Sequence, residues 1–212
     1  MFLNAKRVLL CITSSRKDVP YKQQVELACL GGADIIQFRD NSLSDRDFLA
    51  TAFELKDICK KYNVLFTVNN RVDVASIVDA DGVHVGQKDI PVKYARKILG
   101  NSKIIGLSAS TLEQVKEALS EDINYLGHGA IYSTDTKPDA VTRGLSVLKN
   151  IKQICKDIPV IAIGGIDKTN VENVIKAGAD GVAVVKAVCG AKDIKKETQD
   201  IKEIIRNIGT NK

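Results

Sequence analysis

The chain has 212 residues, 44% of them apolar and 27% charged, a net charge of +5, and five Phe and five Tyr but no Trp. Its length and composition fit one domain over residues 1–212 with a sizeable core. The mild charge suits anionic small molecules at least as well as nucleic acid, and the lack of a basic run interleaved with aromatics excludes a base-stacking surface.

Taken in order, eight short apolar segments stand out: Val8–Thr13, Asp34–Arg39, Val64–Asn70, Gly82–Gln87, Lys103–Ala109, Tyr125–Tyr132, Val160–Gly165 and Gly181–Val188. The first is too short for a signal-peptide core, and no segment approaches a membrane span. Cys11, Cys29, Cys59, Cys155 and Cys189 are odd in number, scattered and without CxxC spacing. That argues against a disulfide framework or zinc site and for a reducing compartment. The expectation is a cytoplasmic chain with small-molecule partners, no nucleic acid and no membrane; a homo-oligomer is left open.

Charged segments of helical period separate the apolar runs. In Asp47–Tyr62 the residues Phe48, Leu49, Ala52, Phe53, Leu55, Ile58 and Cys59 recur mostly at three- and four-residue steps. Val171–Ala177 and Ile194–Ile208 read the same way, and Asp47, Thr111 and Asp167–Thr169 offer caps near helix starts. The Lys- and Glu-rich segment from Lys192 reads as a solvated helix face.

Eight strand–helix units in 212 residues leave about 26 residues each. Near-continuous apolar strands are those of a parallel sheet buried on both faces. Eight such units predict an α/β fold of the (βα)8 TIM-barrel class. The runner-up, an open doubly wound sheet, wants a Gly-rich turn after its first strand, where this chain has Ser14-Ser15-Arg16-Lys17.

In a barrel all strand C-terminal ends face one mouth. Here those ends carry Gln37, Arg39 and Asn41; Asn69 and Asn70; His84, Gln87 and Asp89; Ser108; Thr134, Thr136 and Lys137; Gly164 and Gly165; and Val185 and Lys186. Arg39 and Lys137 are fixed cations suited to phosphate or diphosphate. Thr134 and Thr136, two apart, would turn both hydroxyls to one side of an extended chain beside Lys137. Gln37 and Asn69 suit the edge of a heterocycle. Asp89 could hold Mg²⁺ beside phosphate oxygens, and Gly165 with the backbone after strand eight could present N–H groups to a second phosphate. The plain alternatives are an Arg39 ion pair with Asp40 or Asp89, an Asp89 helix cap, and a tight turn at the glycines. His84 and His128, the two histidines, read as satisfied core residues.

The runs Ile36–Asp40, Val68–Asp73, Ala80–Asp89, Gly106–Ser108, Thr134–Lys137, Ala162–Ile166 and Gly181–Val185 together resemble the thiamine-phosphate synthase family. The resemblance implies a transferase that joins hydroxymethylpyrimidine diphosphate to hydroxyethylthiazole phosphate and releases diphosphate, with Mg²⁺ bound. The implied chemistry is dissociative and needs no protein nucleophile. By the same resemblance Gln37, Arg39 and Asn69 hold the pyrimidine diphosphate, and Ser108 and Lys137 contact its diphosphate, so that Arg39, Ser108 and Lys137 carry catalysis. Thr134, Thr136, Gly165 and the backbone around Val185 hold the thiazole phosphate, and Asp89, with Asn70, binds the metal. The family pattern has Lys at Asn41, Asp at Asn70 and Ser at Lys186; Lys186 is thus a further substrate-binding candidate. The alternatives are a thiazole tautomerase-like isomerase, which would want a histidine at Ala130 where this chain has His128 two residues early, and a non-catalytic barrel that binds thiazole phosphate.

Overall fold

The eight apolar runs form parallel strands that close into a barrel in sequence order: β1 Val8–Ile12, β2 Ile35–Phe38, β3 Leu65–Asn69, β4 Gly82–Val85, β5 Ile104–Ser108, β6 Tyr125–Gly129, β7 Val160–Ile163 and β8 Gly181–Val184. Each is followed by a helix: α1 Tyr21–Leu30, α2 Asp45–Lys61, α3 Val72–Ile77, α4 Val92–Leu99, α5 Leu112–Ala118, α6 Gly144–Ile154, α7 Val171–Lys176 and α8 Ile194–Asn207. This computed structural model describes residues 7–137 and 139–208. No helix among them is long and apolar enough to cross a membrane.

The strands read as unbroken apolar runs because both faces are covered. One face of each strand packs under the helices, with Leu9, Cys11, Ile36, Phe38, Phe66 and Val83 among the buried residues. The other fills the barrel interior with Val8, Leu10, Ile12, Ile35, Tyr125, Ile161 and Ala183. All five cysteines are free and buried. Burial pushes the Cys189 thiol up to about 12 and Cys11 well above its ordinary value, so they serve as small hydrophobes, not nucleophiles.

The expected strands run one to four residues long at their C-terminal ends. The main case is the stretch after β6. Ile131 and Tyr132 still donate N–H bonds to Ile163 and Gly164, at 2.9 Å each, but the chain is no longer extended. Thr134 and Thr136 therefore lie in a loop and not on a strand. The helix starts also differ in detail. Thr111 caps α5 with a full capping box to Gln114. The cap of α2 is Ser44, which accepts from the Asp47 amide at 3.2 Å, so Asp47 is the partner and not the cap. Asn170, beyond Asp167–Thr169, precedes α7.

The base of the barrel carries a four-fold device. Asp34, Asp81, Asn124 and Asp180 each stand just before an even-numbered strand. Each side chain accepts an amide from the first or second residue of the strand before it: Leu9 (2.8 Å), Phe66 (2.8 Å), Ile105 (2.8 Å) and Val160 (2.7 Å). Each also takes a cation from a helix, respectively Lys202, Lys56, Arg96 and Lys152. Lys202 is an exception to the reading of the Lys- and Glu-rich segment as a solvated helix face, for it is 4% exposed and bonded to Asp34. Changing Asp34 to Asn keeps an acceptor for Leu9 but leaves that ammonium buried without its counter-charge. A loss of about 3–5 kcal/mol is expected in urea unfolding, relieved by adding Lys202→Met. A loss below about 1 kcal/mol would rule out the pair as the barrel's closing contact.

Candidate functional site

The mouth is built from strand ends whose side chains alternate inward. Asn69 pairs in register with His84, His84 with Gly106, and Ser108 with Gly127. That alternation turns Gln37, Asn69, His84 and Ser108 into the barrel on four successive strands.

Arg39 follows β2. Its backbone is pinned by Thr13, whose hydroxyl accepts from the Arg39 amide (2.9 Å) and donates to the Arg39 carbonyl (3.0 Å). Beside it the buried Gln24 side chain holds Ser14 from both sides, accepting from its amide at 3.0 Å and donating to its carbonyl at 2.8 Å. Asp40 is fully engaged elsewhere. The Tyr21 hydroxyl donates to one oxygen, and the Ser42 and Leu43 amides donate to the other at 2.6 Å each. Burial pulls the Asp40 pKa up, but these donors outweigh it and hold the carboxyl below its ordinary value. Asp89 accepts the Gly86 amide at 2.6 Å through one oxygen and does not reach Arg39. The Arg39 guanidinium has no hydrogen bond or ion pair among the described residues, and neither of the anticipated Arg39 pairings forms.

A cavity of about 290 Å³ opens at this point, lined by Thr13, Ser14, Arg39, Asn41, Thr136 and Lys186 with Val185, Asp40, Ser15 and Ser42 around them. It joins residues from the ends of β1, β2 and β8 and from the loop after β6. In that loop the Thr134 hydroxyl accepts the Thr136 amide at 3.3 Å, a local bond of a turn and not of an extended strand. Lys186 reaches the same loop, with its ammonium 3.1 Å from Asp135. Both side chains are largely exposed, at 60% and 90%, so the pair is weak and open to exchange for an incoming anion. Lys137 is exposed, and its ammonium makes no hydrogen bond or ion pair among the described residues.

Gly165 follows β7 with φ +63°, and a Cβ there would stand 2.7 Å from Cβ of Tyr132, so glycine is needed on both counts. The Asn170 side chain donates to its carbonyl at 2.9 Å and holds the turn in place.

On the other side of the mouth, Asn70 sits just past β3 at φ +62°, its amide donating to the His84 carbonyl at 2.8 Å. Its side-chain amide is exposed and makes no hydrogen bond among the described residues. Asp89 bonds Gly86 through one oxygen and keeps the other without a protein partner. No cluster of three or more His, Cys, Asp or Glu able to hold a metal occurs among the described residues. One carboxylate oxygen and one amide fit Mg²⁺ only where substrate phosphates and water supply most of its ligands, which is how this ion usually binds. Asp89 does not cap α4, whose N-terminus follows Pro91.

Sequence reasoning missed the part played by His84. The ring lies inside the mouth with Nε2 2.8 Å from the Ser108 hydroxyl and Nδ1 2.9 Å from the Tyr125 hydroxyl. The signal was present in the strand period, since His84 shares the inward parity of Asn69 and Ser108. His128 has the opposite parity and is fully buried on the helix side, with Nδ1 2.9 Å from the Ala109 carbonyl and Nε2 without a partner. It does not face the mouth, which removes the feature that an isomerase reading would need.

Comparison with known proteins places these features among relatives. Residues 9–188 match the family model described as thiamine monophosphate synthase. A thiamine-phosphate synthase of Coprothermobacter proteolyticus is 46% identical over 88% of this chain and 88% of the relative. One from Methanococcus maripaludis is 47% identical over 86% of this chain and 87% of the relative. Among solved structures, thiamine phosphate pyrophosphorylase from Pyrococcus furiosus superposes with a TM-score of 0.86 at 40% identity, covering 93% of this chain and 95% of that one.

Proposed function

The chain belongs to the thiamine monophosphate synthase family, and from that premise we propose how its mouth divides the work of the reaction. The protein is a transferase of thiamine biosynthesis: it joins hydroxymethylpyrimidine diphosphate to hydroxyethylthiazole phosphate and releases diphosphate. The observation that carries our assignment is the cavity at the ends of β1, β2 and β8. It sets Arg39 and Asn41, from the end of β2, across from Thr136, Val185 and Lys186. A condensation of two phosphorylated substrates needs one group from each half held within reach of the other.

In this reading Gln37 and Asn69 bind the edge of the pyrimidine, and Arg39, Ser108 and Lys137 bind its diphosphate. As the carbon–oxygen bond breaks, charge gathers on the departing diphosphate. An unpaired guanidinium, a hydroxyl and an unpaired ammonium stabilise it more than they stabilise the bound substrate. No protein nucleophile is called for, because the pyrimidine-methyl carbon becomes cationic as diphosphate departs and the thiazole nitrogen then attacks it. Thr134, Thr136, Gly165 and the chain at Val185 hold the thiazole phosphate.

Lys186, just past β8, supplies a positive charge to the cavity wall where Asn41 supplies none. Lys186→Ala is expected to raise KM for one phosphorylated substrate roughly ten-fold, the size of one charge-assisted contact, and to change kcat little. An unchanged KM for both substrates would remove Lys186 from the site.

Asp89 and Asn70 would hold Mg²⁺. When bound, the ion neutralises charge on diphosphate oxygens. Five free buried cysteines support a cytoplasmic location.

The test is turnover. With both substrates and Mg²⁺, thiamine phosphate and diphosphate should appear in equal amounts, and chelation of the metal should stop their formation. Tight binding of thiazole phosphate with no product at any Mg²⁺ concentration would overturn the division of roles.

A further inference from the structure

A chain of polar side chains crosses the apolar interior of the barrel. The Tyr125 hydroxyl on β6 meets His84 Nδ1 on β4 at 2.9 Å, and His84 Nε2 meets the Ser108 hydroxyl on β5 at 2.8 Å. The rings of His84 and Tyr125 stack at 5.4 Å and 28°. Two glycines make room for them. A Cβ on Gly106 would overlap the Tyr125 ring, and one on Gly127 would lie 2.8 Å from His84 Cε1. Tyr125 is 1% exposed, and burial pushes its pKa up. His84 is partly open to the mouth at its edge, yet burial of its ring pushes its pKa down to about 4. Each ring nitrogen of His84 faces a hydroxyl, and no carboxylate among the described residues bonds the ring; a neutral imidazole in that setting donates from one nitrogen and accepts at the other.

Two orderings of protons are open to this chain. In one, Ser108 donates to Nε2 and Nδ1–H donates to Tyr125, which leaves the proton of the buried Tyr125 hydroxyl without an acceptor among the described residues. In the other, Tyr125 donates to Nδ1 and Nε2–H donates to Ser108. Every proton then has a partner, and Ser108 has its O–H free for an anion.

We infer that His84 and Tyr125 are positioning residues that hold the second ordering, so that Ser108 is presented as a donor to the leaving diphosphate. The inference rests on the division of the site proposed above.

The chain has two histidines, so ¹⁵N-histidine labelling gives a spectrum in which His84→Gln identifies each ring. With inorganic diphosphate and Mg²⁺ added to the intact protein, His84 is expected as the Nε2–H tautomer. In Tyr125→Phe the Nδ1 partner is gone. The tautomer should then become mixed and kcat fall on the order of 10- to 100-fold, with KM for the thiazole phosphate unchanged. A purely structural role for Tyr125 would lower the unfolding midpoint without that tautomer change or that split between kcat and KM. An Nδ1–H tautomer in the diphosphate-bound wild type overturns the inference, and so does a Tyr125→Phe protein with wild-type tautomer and kcat. Should that variant fail to fold, the wild-type tautomer alone decides. The spectrum needs no turnover, so an inactive wild type would count against the reaction assignment and leave the proton ordering to be read on its own.

Discussion

Replacing Arg39 or Lys137 with alanine is expected to lower kcat by roughly 10²–10³-fold each, the usual loss when one preorganised donor to developing charge is removed. Neither side chain does structural work that the loss would confound. Arg39 is held by its backbone, through the Thr13 hydroxyl at 2.9 and 3.0 Å, and its guanidinium pairs with no described residue. Lys137 is exposed on the loop after β6. Substitutions of this kind stay within about 0.5 kcal/mol in stability, which for a chain this size moves Tm by about 1–2 °C. Arg39→Lys should recover part of the rate, because it restores the charge without the two-pronged donor geometry. The measurement is steady-state kinetics with both substrates beside thermal unfolding. A kcat near wild type in both alanine variants would defeat the electrostatic account. A fall in Tm of many degrees would mean that the residues support the loop and not the reaction.

The barrel was legible because its strands are nearly unbroken apolar runs and its helices keep their period, and both follow from burial. What blurred was where each strand stops. Val8–Thr13 and Tyr125–Tyr132 look extended to their ends, yet pairing geometry changes after Ile12 and Gly129, and the sequence of the second half of such a run has no mark of that change. The charged strand ends were legible as a group because a parallel barrel gathers them. Their internal pairings were not. Nothing local says that Asp40 is consumed by Tyr21, a residue of the previous helix, and so leaves Arg39 free. His84 looked like a core residue because it lies among valines, and it is one; its neighbours across the barrel, Ser108 and Tyr125, make it part of the site as well. The base of the barrel was the least visible region. Asp34, Asp81, Asn124 and Asp180 read as ordinary turn residues until their shared bond to the neighbouring strand is seen.

Asp89→Asn is expected to reduce turnover at a fixed low Mg²⁺ concentration by on the order of 10²-fold, with much of the loss recovered as Mg²⁺ is raised. The substitution isolates charge. The Asn oxygen can still accept the Gly86 amide that Asp89 takes at 2.6 Å, so the loop after β4 keeps its shape. What disappears is the charge on a carboxylate oxygen that has no protein partner among the described residues. Asn70 gives the complementary experiment. It occupies φ +62°, a conformation that Asp tolerates as readily as Asn, so Asn70→Asp adds a carboxylate without straining the backbone. Alone, that change should lower the Mg²⁺ concentration needed for half-maximal rate by about ten-fold, the scale of one added charge on a metal ligand. Combined with Asp89→Asn, it moves the carboxylate from the end of β4 to the end of β3. If the two residues share one ion, the double variant regains part of the lost rate at low Mg²⁺. If it remains as impaired as Asp89→Asn, the metal is held by Asp89 without Asn70. If Asp89→Asn alone keeps both its rate and its Mg²⁺ dependence, neither residue is a ligand, and the ion is carried in by the diphosphate.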